Sequence, residues 1–213
     1  MHIFKTAGSS VRLRVERSID VRRITGVYAT ADVRSRVKGY VDESDVTPTG
    51  AELYYGHFFY GLHDRLDVPP TYGTFLRDPI DRAVSHYRHF ERFSQTGAKS
   101  VSDHLAEGNT QLDNLMVRMI SGHREVPFGK IRQPHLDAAL EHLQTFAFVG
   151  FVETLESSMQ ELSGTLGVAI DSADDINVNP VPSSTSDSDA LRLSALNWAD
   201  RELYEIARSM AAP

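Results

Sequence analysis

The stretch Met1–Ser10, MHIFKTAGSS, decides how the rest of the chain reads. Met1, Ile3 and Phe4 form an apolar run. Lys5, Thr6, Ala7, Gly8, Ser9 and Ser10 follow, a lysine and then small or hydroxyl-bearing residues. That change predicts a strand, a tight loop and a helix start. Such a loop leaves backbone N–H groups uncovered, and the helix behind it adds the positive end of its dipole, so the place suits a phosphate. Lys5 adds a mobile positive charge. The order differs from the usual nucleotide-binding loop, which closes on Gly-Lys-Ser/Thr, because here the lysine precedes the small residues. The same residues also fit a plain strand-to-helix turn with a solvated lysine, and the rest of the chain decides between the two.

Downstream, Val11, Leu13 and Val15 alternate with arginines as in a strand, yet Val11, Val15 and Ile19 also fall at four-residue steps. Ser9 or Ser10 can cap a helix there, and an anion loop needs one behind it, so a helix is expected. Ile24–Thr30 reads as a short strand and 33–50 as irregular chain with a partial helix. Glu52–Phe59 (ELYYGHFF) reads as a buried strand with His57 near its end, Tyr60–Leu66 as a short helix and Tyr72–Leu76 as another buried strand. Asp78 before Pro79 is a cap followed by a favoured first helical residue, so a helix is predicted from Pro79 to about Phe93. Further helices are expected over Val101–Glu107, Gln111–Ser121, His135–Gln144, Thr154–Leu166 and Ala190–Met210. The continuous apolar run Phe146–Val152 predicts a central strand, and the polar stretch from 171 to 189 a loop or lid.

Strands that alternate with helices predict an α/β fold of three layers, α/β/α, around a central and mainly parallel sheet. In that architecture ligands sit at the C-terminal ends of strands. The loop after Phe4, the region of His57 and the turn at Arg77 all fall there. At 213 residues the chain fits a single domain spanning 1–213. The absence of cysteine excludes disulfides and thiolate metal sites. No apolar run approaches the roughly 20 residues of a membrane span, and no basic-then-apolar leader is seen, so a soluble, cytoplasmic protein is expected.

A net charge of −7 speaks against a general nucleic-acid binder. Lys5, Arg12, Arg14, Arg17, Arg22 and Arg23 nevertheless face only Glu16 and Asp20 over that region. A basic region in an acidic chain fits a small anionic ligand, although most of those arginines are expected on a solvated helix face. Arg77 and Ser85 lie eight positions apart, one before a helix and one two turns into it. Together they can grip a second phosphate, the arginine by a bidentate fork and the serine by its hydroxyl. Equally, Arg77 can pair with an acid and Ser85 lie on the helix surface. His57, after Tyr54-Tyr55-Gly56, can reach into a cleft and exchange protons near neutral pH. His63 competes for that role, while His86 and His89 are expected on a helix surface. The histidines show no HExxH spacing, so no metal site is expected. Tyr54, Tyr55, Phe58, Phe59 and Tyr60 either line an acceptor pocket or form core.

HIFKTAGSS resembles the HIPKTAGTS loop of the PAPS-dependent sulfotransferases, in the branch that includes heparan sulfate 2-O-sulfotransferases and bacterial enzymes. FLRDPIDRAVSHY resembles that family's second signature, which binds the 3′-phosphate of PAPS (3′-phosphoadenosine 5′-phosphosulfate). YYGHFFYGLH is similar to its Gly-His segment, whose histidine serves as base. Weaker matches continue through DNLMVRMISG, FVGFVETLESSMQEL and LNWADRELYEIA. The resemblance implies a P-loop-like version of the α/β/α fold. It implies that Lys5, Thr6, Ala7, Gly8, Ser9 and Ser10 surround the 5′-phosphosulfate and that Lys5 stabilises the leaving phosphate. Arg77 and Ser85 would hold the 3′-phosphate and His57 would be the general base. PAPS would be the co-substrate and 3′-phosphoadenosine 5′-phosphate the product, with no metal required. The acceptor would be a hydroxyl of a small molecule, lipid or simple glycan, because the net charge of −7 does not attract a polysulfated chain. Phe4 replaces the family's proline, and residues 177–186, where the family adds contacts to the 3′-phosphate, match loosely. A P-loop nucleotide kinase, or a nucleotide-binding relic without turnover, are the other readings.

Overall fold

The computed structural model describes residues 1–28, 35–37, 40–69, 71–93, 100–170 and 186–211. In chain order these form α1 (Gly8–Ser18), β1 (Ile24–Val27), β2 (Tyr40–Val41), β3 (Leu53–Gly56), α2 (Leu62–Leu66), β4 (Gly73–Leu76) and α3 (Pro79–Phe93). Then come α4 (Val101–Ala106), α5 (Leu115–Ser121), α6 (Gln133–Gln144), β5 (Phe148–Phe151), α7 (Leu155–Leu166), α8 (Asp187–Leu196) and α9 (Trp198–Met210). The fold is mixed α/β, and each strand pair among the described residues is parallel. The chain groups into two units, Met1–Leu76 with Thr145–Val178 and Arg77–Gln144 with Asn179–Pro213.

The first unit holds every described strand. β2, β1 and β3 form one sheet in that order, and β4 and β5 form another. Met1–Ile3 joins them: the His2 amide donates to Gly56 O of β3 at 2.7 Å, and the Met1 nitrogen donates to Gly73 O of β4 at 2.8 Å. Neighbouring residues of an extended chain send their N–H groups to opposite sides, so these three residues are strand-like. The apolar run at the start of the chain is thus extended, although it is not one of the strands of either sheet. Val11 and Val15 of α1 and Met159 of α7 pack with Ile24, Phe75 and Phe148. Tyr72, on the opposite side of the strand from Phe75, turns its hydroxyl to the amides of Gly61 and His63 around α2, at 3.3 and 3.2 Å.

One expectation for this unit fails and another holds only in part. The run Phe146–Val152 reads as a central strand, but β5 pairs only with β4 among the described residues and so stands at a sheet edge. Its apolar character comes from the cover of α7: Phe151 N donates to Ser158 Oγ at 2.9 Å, and Phe148 sits in the shared core. Of the arginines expected on a solvated face, Arg17, Arg22 and Arg23 are exposed, but Arg12 and Arg14 of α1 are not. Arg12 and Arg14 are 6% and 3% exposed and Glu16 is 1% exposed. Arg14 pairs with Glu156 of α7 at 2.7 Å, and Glu16 accepts from Ser35 Oγ at 2.6 Å and Arg36 N at 2.7 Å. β2 is a strand inside the stretch that reads as irregular, too short to leave a period.

The second unit is built from helices. Asp78 caps α3 as predicted, its carboxylate accepting from Ile80 N and Asp81 N at 2.9 and 3.0 Å. Two helices that read as continuous are broken. The run Gln111–Ser121 becomes a short turn and then α5, because Asn114 stands at φ 47°. The run Ala190–Met210 becomes α8 and α9, divided at Asn197. The two breaks cap each other. Asn114 Oδ1 accepts from Ala199 N and Asp200 N, both at 3.0 Å, while Asp200 accepts from Met116 N and Val117 N at 3.1 and 2.8 Å. Asn197 Oδ1 accepts from Asn114 N at 2.9 Å. Each helix start thus finds its acceptor on a helix more than 80 residues away, a relation no local pattern carries. Of the stretch from 171 to 189, residues 171–185 lie outside the described ones; Ser186 caps α8, which begins at Asp187.

Candidate functional site

The loop between Ile3 and α1 is held in an unusual backbone. Lys5 stands at φ 71° and Ala7 at φ 58°, both left-handed. Ala7 is the helix N-cap and no side chain caps α1. Ser9 and Ser10 therefore lie inside the first turn and do not cap, contrary to the sequence reading. Amides in an uncapped first turn have no intrahelical acceptor and carry the positive end of the dipole. Thr6 is 1% exposed and spends its hydroxyl on Ile3 O at 2.9 Å, so its side chain braces the loop. Lys5, Ala7 and Ser9 are half-buried, and Ser10 is buried.

Gly8 has a steric reason. A Cβ there would lie 1.5 Å from His2 Nε2. The His2 ring is fixed below it, with Nδ1 3.0 Å from the Tyr28 hydroxyl and the ring stacked on Tyr55. Tyr55 in turn donates its hydroxyl to Gly8 O at 2.9 Å. Burial and the neighbouring His57 hold the His2 pKa well below its usual value, so its ring is neutral and acts as a packing unit.

His57 stands at the end of β3, where Gly56 is forced: a Cβ on Gly56 would meet Val27 O at 1.8 Å. His57 Nδ1 lies 2.7 Å from His2 O. A carbonyl can only accept, so Nδ1 carries the proton and Nε2 is the bare nitrogen of the neutral ring. Phe4 stacks on this ring at 3.6 Å and 10°. Phe4 thus holds His57 in place. Burial lowers the His57 pKa from 6.5 to about 4, with the hydrogen bond to His2 pulling the other way and Arg12 adding to the drop. The expectation of proton exchange near neutral pH therefore does not describe this ligand-free ring.

Arg12 is the residue that the sequence reading passed over. It is nearly buried on α1, lies 5.6 Å over the Tyr28 ring and 3.5 Å from Glu16, and its charge acts on His2, His57 and Tyr55. A buried cation close to the loop adds to its attraction for an anion. Its signal was the R-x-R-x-E pattern of α1, which looks like a solvated stripe until residues 10–16 are all seen buried.

The first unit thus brings together Lys5–Ser10, Arg12 and His57. His63 is elsewhere in that unit, on α2, with Nδ1 2.9 Å from the Tyr72 hydroxyl. Arg77 and Ser85 belong to the second unit, half-buried at the start of α3 and two turns into it. His86 is 2% exposed, not on the helix surface as expected, because α3 is buried around Arg82, Ala83 and Val84 as well; His89 is exposed. Of the aromatic group, Tyr54, Tyr55 and Phe58 line a cavity of about 360 Å³ that includes neither His57 nor Lys5. No protein-family model matches the chain, and no curated protein is similar to it.

Proposed function

We propose that this chain is a PAPS-dependent sulfotransferase acting on a hydroxyl acceptor. The observation that carries the reading is the uncapped start of α1 beside Lys5 and the buried Arg12, with His57 locked in the tautomer that leaves Nε2 bare. In this reading the loop amides and Lys5 receive the 5′-phosphosulfate. The acceptor oxygen attacks sulfur, the bond from sulfur to the bridging oxygen breaks, and its electron pair stays on the departing phosphate. Lys5 and the amides of the first turn meet that charge. The acceptor's proton passes to His57 Nε2 and then to solvent. A ring with a pKa of about 4 is a weak base. A bound anion favours the charged imidazolium and raises that value, so the donor would tune its own base. A P-loop-like three-layer fold and a cytoplasmic location go with this reading.

Calorimetry with 3′-phosphoadenosine 5′-phosphate tests it, followed by transfer from labelled PAPS to a panel of hydroxyl acceptors. Micromolar binding of the bisphosphate, with weak ATP binding indifferent to magnesium, is expected. Tight magnesium-dependent ATP binding would favour a kinase. Bisphosphate binding without transfer to any acceptor would mark a relic.

A further inference from the structure

The hydroxyl of Tyr72 makes three hydrogen bonds, and their count fixes where its proton lies. Gly61 N and His63 N both donate to it, at 3.3 and 3.2 Å, and His63 Nδ1 lies 2.9 Å away. A phenol oxygen has two lone pairs and one proton. The amides can only donate, so they fill the lone pairs, and the phenol proton points at His63 Nδ1, which accepts it. Burial raises the Tyr72 pKa, so the oxygen keeps that proton. The neutral His63 ring therefore carries its own proton on Nε2, which faces Asp64 Oδ1 at 3.4 Å. Nδ1 is taken by Tyr72 and Nε2 by its own proton, so this ring offers a substrate no bare nitrogen. His63 thus differs from His57.

This arrangement holds only while the ring is neutral. A second proton on His63 turns Nδ1 into a donor, and the Tyr72 oxygen has no lone pair left to receive it. One of the three bonds must then break. The groups set against His63 decide which way the ring goes. Tyr72 and the edge-on ring of Tyr60, 5.4 Å away, carry no charge, whereas the exposed Asp64 carboxylate attracts the imidazolium. Arg65, on the same helix, is turned to Glu43 O and Ser44 O at 2.9 and 3.0 Å. We propose that His63 and Tyr72 form a proton-sensitive latch: neutral His63 holds the start of α2 on the residue that leads into β4, and protonated His63 releases it. Leu62 and Leu66 of α2 are buried and line the 360 Å³ cavity together with His63 and Tyr72, so release loosens one wall of that cavity. The latch is independent of the sulfotransferase reading, since neither Lys5 nor His57 belongs to it.

The test compares the full parent chain with His63→Asn and Tyr72→Phe between about pH 7.5 and 5.5. An asparagine oxygen accepts from the Tyr72 hydroxyl as Nδ1 does, and it takes up no proton. In the parent chain, protection of the Gly61 and His63 amides against exchange is expected to fall about tenfold as the pH drops. It should stay constant in His63→Asn and be low at both pH values in Tyr72→Phe. Nitrogen-15 shifts of the parent should show Nδ1 as the bare, accepting nitrogen of the neutral ring. A proton on Nδ1 in that ring, protection unchanged by pH in the parent, or the same pH response in His63→Asn would overturn the proposal. So would a fall shared equally by the amides of β1, which would mark a global loss of stability.

Discussion

Ala7 and Lys5 both occupy the left-handed backbone region, at φ 58° and 71°, where a side chain costs roughly 1–2 kcal/mol. Ala7→Gly should therefore leave stability unchanged or raise it by up to about 1 kcal/mol, while Gly8→Ala should lower it by about 2 kcal/mol by driving a methyl into the His2 ring. Urea denaturation compares the two. His57 gives a pH signature. Its pKa falls from 6.5 unfolded to about 4 folded, so the folded state binds fewer protons between those values. Stability is full above pH 6.5 and is lost as pH falls towards 4, by about 3 kcal/mol from this group. Asp200, raised by burial from 3.8 to about 6, acts in the opposite sense. The difference between the parent chain and His57→Asn isolates the histidine, since the asparagine amide can still donate to His2 O. The imidazole resonances of His57 should also shift to a higher pKa when the bisphosphate is added, and an unmoved pKa would remove His57 from the anion's neighbourhood. Lys5→Ala and His57→Ala should each cut turnover about 100-fold.

At the scale of elements, α5 and α9 start where they do because each supplies the other's cap. Asn114 makes bonds through both ends of its amide, to Ala199 N and Asp200 N and from Nδ2 to Asp113 Oδ1 and Leu196 O at 2.8 and 2.6 Å. Asn114→Gly keeps the backbone conformation and loses these bonds, and should cost about 3 kcal/mol, seen as a fall in Tm of roughly 6–12 °C. Asn114→Ala should cost more, because alanine also resists φ 47°. A solvent-facing asparagine would cost under about 0.5 kcal/mol, and that result would refute the reciprocal cap. α1 follows the same logic from the other direction. It starts at Ala7 with no capping side chain, although it is 11 residues long and nearly buried.

Across the whole molecule, charge separates local from global behaviour. The net charge of −7 should keep the chain off a heparin column at physiological salt, although the loop region is basic. Retention that is lost in Lys5→Ala or Arg12→Gln would instead point to a polyanionic acceptor. No helix among the described residues is long and apolar enough to cross a membrane. The elements that were legible in the sequence are those with a local signal. The Asp78-Pro79 cap, the left-handed glycines that close α5 and α7, at φ 78° and 63°, and the parallel strands at Ile24, Leu53 and Gly73 all fall where composition placed them. The breaks at Asn114 and Asn197 were not legible, because an apolar period continues through both.

By itself, the sequence determined that a loop of small residues with one lysine precedes a helix, and that Gly56-His57 ends a strand. Both follow from steric and hydrogen-bonding preferences of neighbouring residues. Only the tertiary structure decided what those residues can do. Burial against α7 and Tyr28 turned Arg12 and Arg14 from surface charges into interior ones. The carbonyl of His2 fixed the His57 tautomer, Phe4 became a stacking partner, and β5 moved from centre to edge. Such outcomes depend on desolvation and on contacts between residues far apart in the chain, which sequence spacing does not encode.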